Sequence, residues 1–262
     1  TGSSGDAVNS AGRMADIYLR ADPKYTGRVS VPVLWDRKRQ TIVSNESSEI
    51  IRMFNSAFDA FTNEHTDYYP AELRGEIDSV NELVYANINN GVYRTGFATA
   101  QTAYEEAFRD VFAALDDLER RLSRHRYVAG ARMTEADWRL FATLIRFDAV
   151  YYSHFKCNLR RIAEYPNLSN YVRDLYQVPG VAETVSINHI KRHYYMSQRK
   201  VNPTGIVPLG PKLDFSAPHD RARPVGVTAD HDGESVSGVR RHRVRARPDR
   251  ARYQSGRAGR VD

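Results

Sequence analysis

Apolar residues recur at helical spacing through most of the chain, and only before about Ala60 does the pattern shorten into strand-like runs. Ala7 to Leu19 is helical in pattern. Val29-Ser-Val-Pro-Val-Leu-Trp35 and Thr41-Ile-Val43 are short apolar strands, and the charged turn Asp36-Arg-Lys-Arg39 between them is what a hairpin requires. Ser47 then opens a helix whose apolar positions, Ile50, Ile51, Phe54 and Phe58, follow a 3.6-residue period.

From about Pro70 to Ser197 the pattern is helical throughout. Leu73, Ile77, Val80, Leu83 or Val84 and Ile88 form one stripe, and Tyr104, Phe108, Val111 or Phe112, Leu115, Leu118 and Leu122 form the next. Thr134-Glu-Ala-Asp137 reads as a capping box. There the threonine hydroxyl takes the backbone N–H three residues on, and the aspartate reaches back to the threonine N–H. Trp138, Phe141, Leu144 and Ile145 supply the buried side of the helix it opens. Another helix follows Asn167 and stops near Val178-Pro-Gly180. No internal repeat is visible.

Composition adds limits. With 262 residues and 41% apolar content the chain can bury an ordinary core. No apolar stretch approaches the roughly 20 residues of a membrane helix, and the first residues have neither the basic start nor the apolar run of a signal peptide. One cysteine, Cys157, excludes an internal disulfide framework and fits a reducing compartment, so a cytoplasmic location is expected. The net charge of +6 suggests nucleic acid until its distribution is considered. Most of the excess lies after Ser216, where eleven Arg stand against five Asp and one Glu, and the remaining body is close to neutral. A phosphate-gripping surface needs its basic face on the folded part, so nucleic acid is not an expected partner. The tail itself has no periodicity and is expected to be disordered. Arg240-Arg-His-Arg-Val-Arg-Ala-Arg247 would bind acidic partners only nonspecifically. The abrupt start and exclusive use of Arg point to a shifted reading frame or a foreign extension, which sequencing of the intact gene would check.

An α/β hairpin unit followed by an all-helical domain is similar to the glutathione transferases. Local wording narrows the resemblance. Leu19 to Asp36, Ser44 to Asn55, Asn89-Asn-Gly-Val-Tyr-Arg-Thr-Gly-Phe-Ala98, His154-Phe-Lys-Cys-Asn158 and Asn202-Pro-Thr-Gly-Ile206 resemble the glutathionyl-hydroquinone reductases, the Xi-class transferases, over about Ala15 to Arg221. The resemblance implies glutathione as co-substrate, a glutathionyl-hydroquinone as substrate and a homodimer. It also implies a reaction in which a cysteine thiolate attacks the thioether sulfur and a second glutathione resolves the mixed disulfide. That cysteine belongs to a Cys-Pro-Trp-Ala-type motif, expected ahead of Thr1 and absent from the sequence together with a glutathione-binding tryptophan, so the chain is expected to be an N-terminal truncation.

Site residues follow from the same resemblance. Val31-Pro32 resembles the cis-proline corner of thioredoxin-like folds, where backbone pairs with the cysteinyl part of glutathione; taken alone it is an ordinary proline at a strand edge. Arg28, Val29 and Ser30 should line the same groove. Glu46 and Ser47 sit at a helix start that suits the γ-glutamyl end of glutathione, although a serine N-cap without ligand is common. Tyr93 matches the family's acid/base tyrosine, and Tyr151 and Tyr194 match two tyrosines credited with lowering the cysteine's pKa. Cys157 matches a cysteine that is not the nucleophile. His189 and His193 stand four apart without a third ligand, so no metal is expected.

The expected fold is α/β plus all-α: a partial thioredoxin-like domain over residues 1–60 and a glutathione-transferase C-terminal helical domain over 70–200. A family-like extension to 218 and an Arg-rich tail over 219–262 follow. Without its leading strands the sheet should expose an edge, favouring aggregation or pairing. Two functions compete: a reductase represented in part, and a noncatalytic glutathione- or quinone-binding remnant.

Overall fold

The structure, a computed structural model, describes residues 5–221. Helix α1 is Met14–Ala21, later than the pattern from Ala7 suggests. The Asp6 carboxylate accepts the N–H groups of Val8 and Asn9 at 2.9 Å and of Ala11 at 3.3 Å, which fixes a turn in place of a helical start. Asp16 accepts the Arg13 N–H at 2.9 Å and marks where the helix begins.

Strand β1 is Leu34–Asp36 and β2 is Thr41–Ser44; they pair antiparallel, with Trp35 opposite Ile42 and a bulge between Leu34 and Trp35. The turn forms where the charges place it, with the Asp36 carboxylate accepting Lys38 and Arg39 N–H groups. The strand expected from Val29 is shorter, since Val29–Val33 bends at Val31 and joins no ladder, and Pro32 has no N–H to offer one. Side chains hold this stretch: the Tyr18 hydroxyl donates to the Ser30 carbonyl at 2.9 Å, and the Asn45 amide donates to both the Tyr18 and Ser30 hydroxyls at 3.1 Å. The Val31–Pro32 peptide is cis.

Helix α2, Ser47–Ser56, keeps its period but not its burial. Of the expected stripe only Ile50 is buried, while Phe54 and Phe58 are exposed and lean on each other at 5.5 Å. Polar contacts attach α2 to the helical part. Arg52 donates to Asp78 at 2.7 Å and to the buried Glu135 at 3.1 Å, and its guanidinium lies 3.9 Å from the centre of the Tyr69 ring.

Helix α3, Arg74–Val84, runs through a π-helical turn at Tyr85–Asn89 into α4, Gly91–Gly96. Ile77, Val80, Val84 and Ile88 are buried as the stripe requires. Helix α5, Gln101–Leu122, buries Val111, Phe112, Leu115, Leu118 and Leu122. Two glycines let α4 lie close: a Cβ on Gly91 would come within 2.8 Å of Val111, and one on Gly96 would collide with the Phe155 ring.

Helix α6, Glu135–Arg146, passes into a second π-helical turn at Phe147–Tyr151. Its start is the expected capping box, with the Thr134 side chain at the Asp137 N–H and the Asp137 carboxylate accepting the Thr134 N–H at 2.8 Å; the Thr134 hydroxyl also lies 3.1 Å from that carboxylate, as a donor to it. The fully buried Asp137 also accepts the Val128 N–H at 2.9 Å and the Tyr171 hydroxyl at 2.8 Å, so it is a hub between the loop before α6 and helix α7. Helix α7, Pro166–Tyr176, has proline in its first turn, and Glu119 of α5 accepts its Asn167 and Leu168 N–H groups at 2.8 Å. Helix α8, Ile187–Ser197, closes the bundle.

Residues 216–221, which composition assigns to a loose tail, are held in place. Gln177 donates to the Phe215 and Ala217 carbonyls at 2.9 Å, and Arg221 donates to the Leu122, His125 and Arg126 carbonyls at the C-terminal end of α5. The expected disorder of the Arg-rich segment beyond Arg221 lies outside the described residues.

Removing the hub tests its weight. Asp137→Ala leaves the Val128, Thr134 and Tyr171 donors unmatched in the core, and at roughly 1–3 kcal/mol per orphaned group a loss of about 3 kcal/mol is expected in urea unfolding.

Candidate functional site

A cavity of about 640 Å³ opens where the N-terminal part meets α4, α6 and α8. The two π-helical turns shape one side of it. The first ends at Asn89, one turn before Tyr93; the second follows Arg146 and ends at Tyr151. Each inserts a residue into the helical repeat and so re-aims the side chains beyond it. Helix α8 adds His189, His193 and Tyr194, while Val31 and Ser47 come from the other half.

Three phenols form a relay. The Tyr194 hydroxyl lies 2.5 Å from that of Tyr93 and 2.8 Å from that of Tyr151. Two hydrogen bonds use two of the three hydroxyl hydrogens, so one hydrogen is left over, and it can be that of Tyr93, which is only partly buried. Burial holds the Tyr151 and Tyr194 phenols well above the ordinary tyrosine range, and the nearness of Tyr93 adds to it for both. Both are therefore neutral donors at neutral pH. The rings are fixed by packing: Phe155 stacks on Tyr151 at 5.5 Å and meets Tyr93 edge-on at 5.3 Å, and Tyr151 meets Tyr194 nearly perpendicular at 5.5 Å. Gly96 is the position that admits Phe155.

The expected glutathione-side residues divide. Val31 and Ser47 face the same cavity as the tyrosines, and Ser47 is the first residue of α2, where backbone N–H groups lack helical partners. Glu46 is the N-cap with an extended backbone and an exposed side chain, and it does not line the cavity. Arg28 and Val29 are exposed outside the lining; the Arg28 carbonyl accepts the Tyr25 hydroxyl at 2.7 Å. Ser30 spends its hydroxyl and carbonyl on Tyr18 and Asn45. Arg28, Val29, Ser30 and Glu46 are thus not assembled with the tyrosines.

Cys157 is fully buried, with its sulfur 3.9 Å from the Phe155 carbonyl and away from the cavity lining. Burial pushes the thiol up to about 12. His189 and His193, read from the sequence only as a pair without a third ligand, do line the cavity, and no cluster of metal-binding residues occurs among the described residues. Asn89, Thr143 and Arg146 are lining residues that the sequence did not single out. Asn89 donates to the Thr143 hydroxyl at 2.6 Å, a contact between α6 and the turn before α4 that no local spacing announces.

Residues 101–174 match the family model of the glutathione S-transferase C-terminal domain. The chain is 54% identical over 220 residues to the glutathionyl-hydroquinone reductase YqjG of Escherichia coli (strain K12), covering 84% of this chain and 67% of the relative. It is 57% identical over 206 residues to the glutathionyl-hydroquinone reductase PcpF of Sphingobium chlorophenolicum, covering 79% and 66%. The chain therefore spans about two thirds of the length of these relatives. Among solved structures, the glutathione-bound YqjG superposes with a TM-score of 0.82 at 54% identity, covering 84% of this chain and 71% of that one. The Xi transferase of Phanerochaete chrysosporium gives 0.80 at 49% identity, covering 84% and 75%. Among the described residues no helix is long and apolar enough to cross a membrane.

The state of Cys157 has a direct readout. A free thiol titrates near about 8.5, whereas this one stays protonated until far higher pH, and only the thiolate reacts. At pH 9 the native chain should resist iodoacetamide, and the urea-unfolded chain should be alkylated within minutes; equal rates would place the sulfur at the surface.

Proposed function

We propose a function for this chain from the premise that it belongs to the Xi-class glutathione transferases, the glutathionyl-hydroquinone reductases: it forms the substrate pocket and proton relay for glutathione-dependent reduction of glutathionyl-hydroquinones. The observation that carries the reading is the three-phenol relay of Tyr93, Tyr194 and Tyr151 on a cavity that also reaches Ser47 and Val31.

In this reading glutathione's γ-glutamyl carboxylate lies at the start of α2, at Ser47, with Glu46 beside it for the ammonium, and its cysteinyl part runs along the Arg28–Val31 backbone. The hydroquinone ring lies among the tyrosines. A thiolate attacks the thioether sulfur, the S–S bond forms as the C–S bond breaks, and the electron pair left on the ring carbon takes the proton that Tyr93 delivers. A second glutathione thiolate then attacks the mixed disulfide and leaves as glutathione disulfide, restoring the first thiolate. Tyr194 and Tyr151 stand behind Tyr93, where they can return a proton to it or donate to sulfur. Cys157, the chain's single cysteine, is buried and neutral, so the thiolate is not one of the cavity's own groups. A reaction that consumes glutathione favours the cytoplasm, where reduced glutathione is plentiful.

The test is turnover of a glutathionyl-hydroquinone with excess glutathione, on the chain as given and on the chain joined to a relative's leading segment with its cysteine motif. Activity in the joined protein alone is expected, and Tyr93→Phe in it should lower kcat by about 10²-fold or more, the scale of a lost general acid. Activity in the chain alone would return Cys157 to the nucleophile's role. A folded but silent joined protein would favour a noncatalytic binding function.

A further inference from the structure

The wall of the cavity formed by α6 and α8 has a charge character that hydroquinone reduction does not call for. Arg146, at the last turn of α6, and His189 and His193, one turn apart on α8, all line it. Arg146 and His189 also line a second, smaller cavity of about 310 Å³, so they stand on the ridge between the two. Among the described residues no carboxylate lies within ion-pair distance of any of the three. The nearest acid before α8, Glu183, is exposed and lines neither cavity. Helix α8 contains no acidic residue, its Lys191 is turned away to donate to the Leu209 and Gly210 carbonyls at 2.9 Å, and the nearest acid beyond α6, Asp148, is occupied by the Ile162 and Ala163 N–H groups. Glu135 and Asp137 lie at the opposite end of α6. The lining thus holds three basic side chains and no acid, while Thr143, whose hydroxyl accepts from Asn89, keeps a hydrogen to donate.

A neutral hydroquinone uses little of this. Its two hydroxyls are served by the phenols, and two imidazoles and the part of the Arg146 guanidinium not given to the Ala142 carbonyl would be left facing water. A guanidinium matches a carboxylate in fork geometry, and imidazoles donate to it whether or not they carry a second proton. From the juxtaposition of Arg146, His189 and His193 beside the tyrosine relay we propose that the preferred substrates are hydroquinones bearing a ring carboxylate, which these three side chains bind. The proposal rests on the hydroquinone reading of the cavity. It makes Arg146 a specificity-determining residue, with the histidines as adaptable donors at the mouth.

The probes are 2,5-dihydroxybenzoate, a hydroquinone carboxylate anionic at neutral pH, and its neutral methyl ester, titrated calorimetrically into the chain as given. No cysteine is needed for binding. The carboxylate is expected to bind roughly tenfold more tightly than the ester, the scale of a charge-assisted hydrogen bond. Added salt should shrink that ratio, Arg146→Gln should abolish most of it, and the ester's affinity should stay as it was. Should Arg146→Gln fail to fold, the pair His189→Gln and His193→Gln, on exposed positions, carries the same test with a smaller loss. Equal affinities for acid and ester would overturn the proposal and leave the hydroquinone reading standing; failure of both probes to bind would overturn both. Glutathione is titrated in parallel, because its own carboxylates have the same chemistry. If Arg146→Gln weakens glutathione as much as the dihydroxybenzoate, the anion held there is glutathione's and the proposal is wrong.

Discussion

Everything at the site depends on how the start of α6 is tied down. Two carboxylates, at Glu135 and Asp137, are buried there almost completely, and a buried carboxylate is tolerable only if donors surround it. Asp137 takes its donors from the loop before α6 and from Tyr171 of α7, which fixes the helix within the bundle. Glu135 takes its donors from Asn81 of α3, Arg139 of α6 and Arg52 of α2. The last of these joins the two halves of the molecule. Because α2 buries only Ile50, it is held by polar contacts, those of Arg52 and those of Asn55 with Asp67 and Tyr68, and not by an apolar seam. Ser47, at the near end of the same helix, faces the cavity as a result.

From that anchor the rest of the site follows along α6. Twelve residues on, the helix widens into a π turn that points Tyr151 at Tyr194, and Arg146 stands at the junction. The matching π turn before α4 does the same for Tyr93. Three phenols linked by hydrogen bonds, two of them buried, would be wasteful as packing, since phenylalanine fills the same space without a hydroxyl to satisfy. Beside an open cavity the hydroxyls have a use, and the burial that raises the pKa of Tyr151 and Tyr194 keeps those two neutral and able to donate. Phe155, admitted by the missing side chain at Gly96, holds two of the three rings in place.

The stripes of α3 and α5 were legible because helical burial repeats every 3.6 residues and the bundle buries one face of each. The same rule failed at α2, where Phe54 and Phe58 keep the period but face solvent, since periodicity reports amphipathicity and not what lies opposite. It failed again before α1, where the Asp6 side chain competes for the backbone N–H groups that a helix would use. The tyrosines were legible only through family resemblance, and blind to it they are three among sixteen. Arg146 and Thr143 carried no signal, being an arginine and a threonine at ordinary spacing on an amphipathic helix.

By itself the sequence determined the helical character of residues 70 to 197, the antiparallel hairpin and the cap at Thr134, since each depends on neighbours within a few positions. Through resemblance it also determined the family and the identity of the phenols. Only the tertiary structure decided that Val31 and Ser47 share a cavity with Tyr93, Tyr151 and Tyr194, that Glu46 and Arg28 do not line it, and that Arg146 and two histidines form its basic wall. The physical reason is that these meetings join positions far apart in the chain, as in the bond between Tyr93 and Tyr194, 101 positions apart. They are set by buried ion pairs and by single-residue insertions in helices, and neither leaves a local periodic trace.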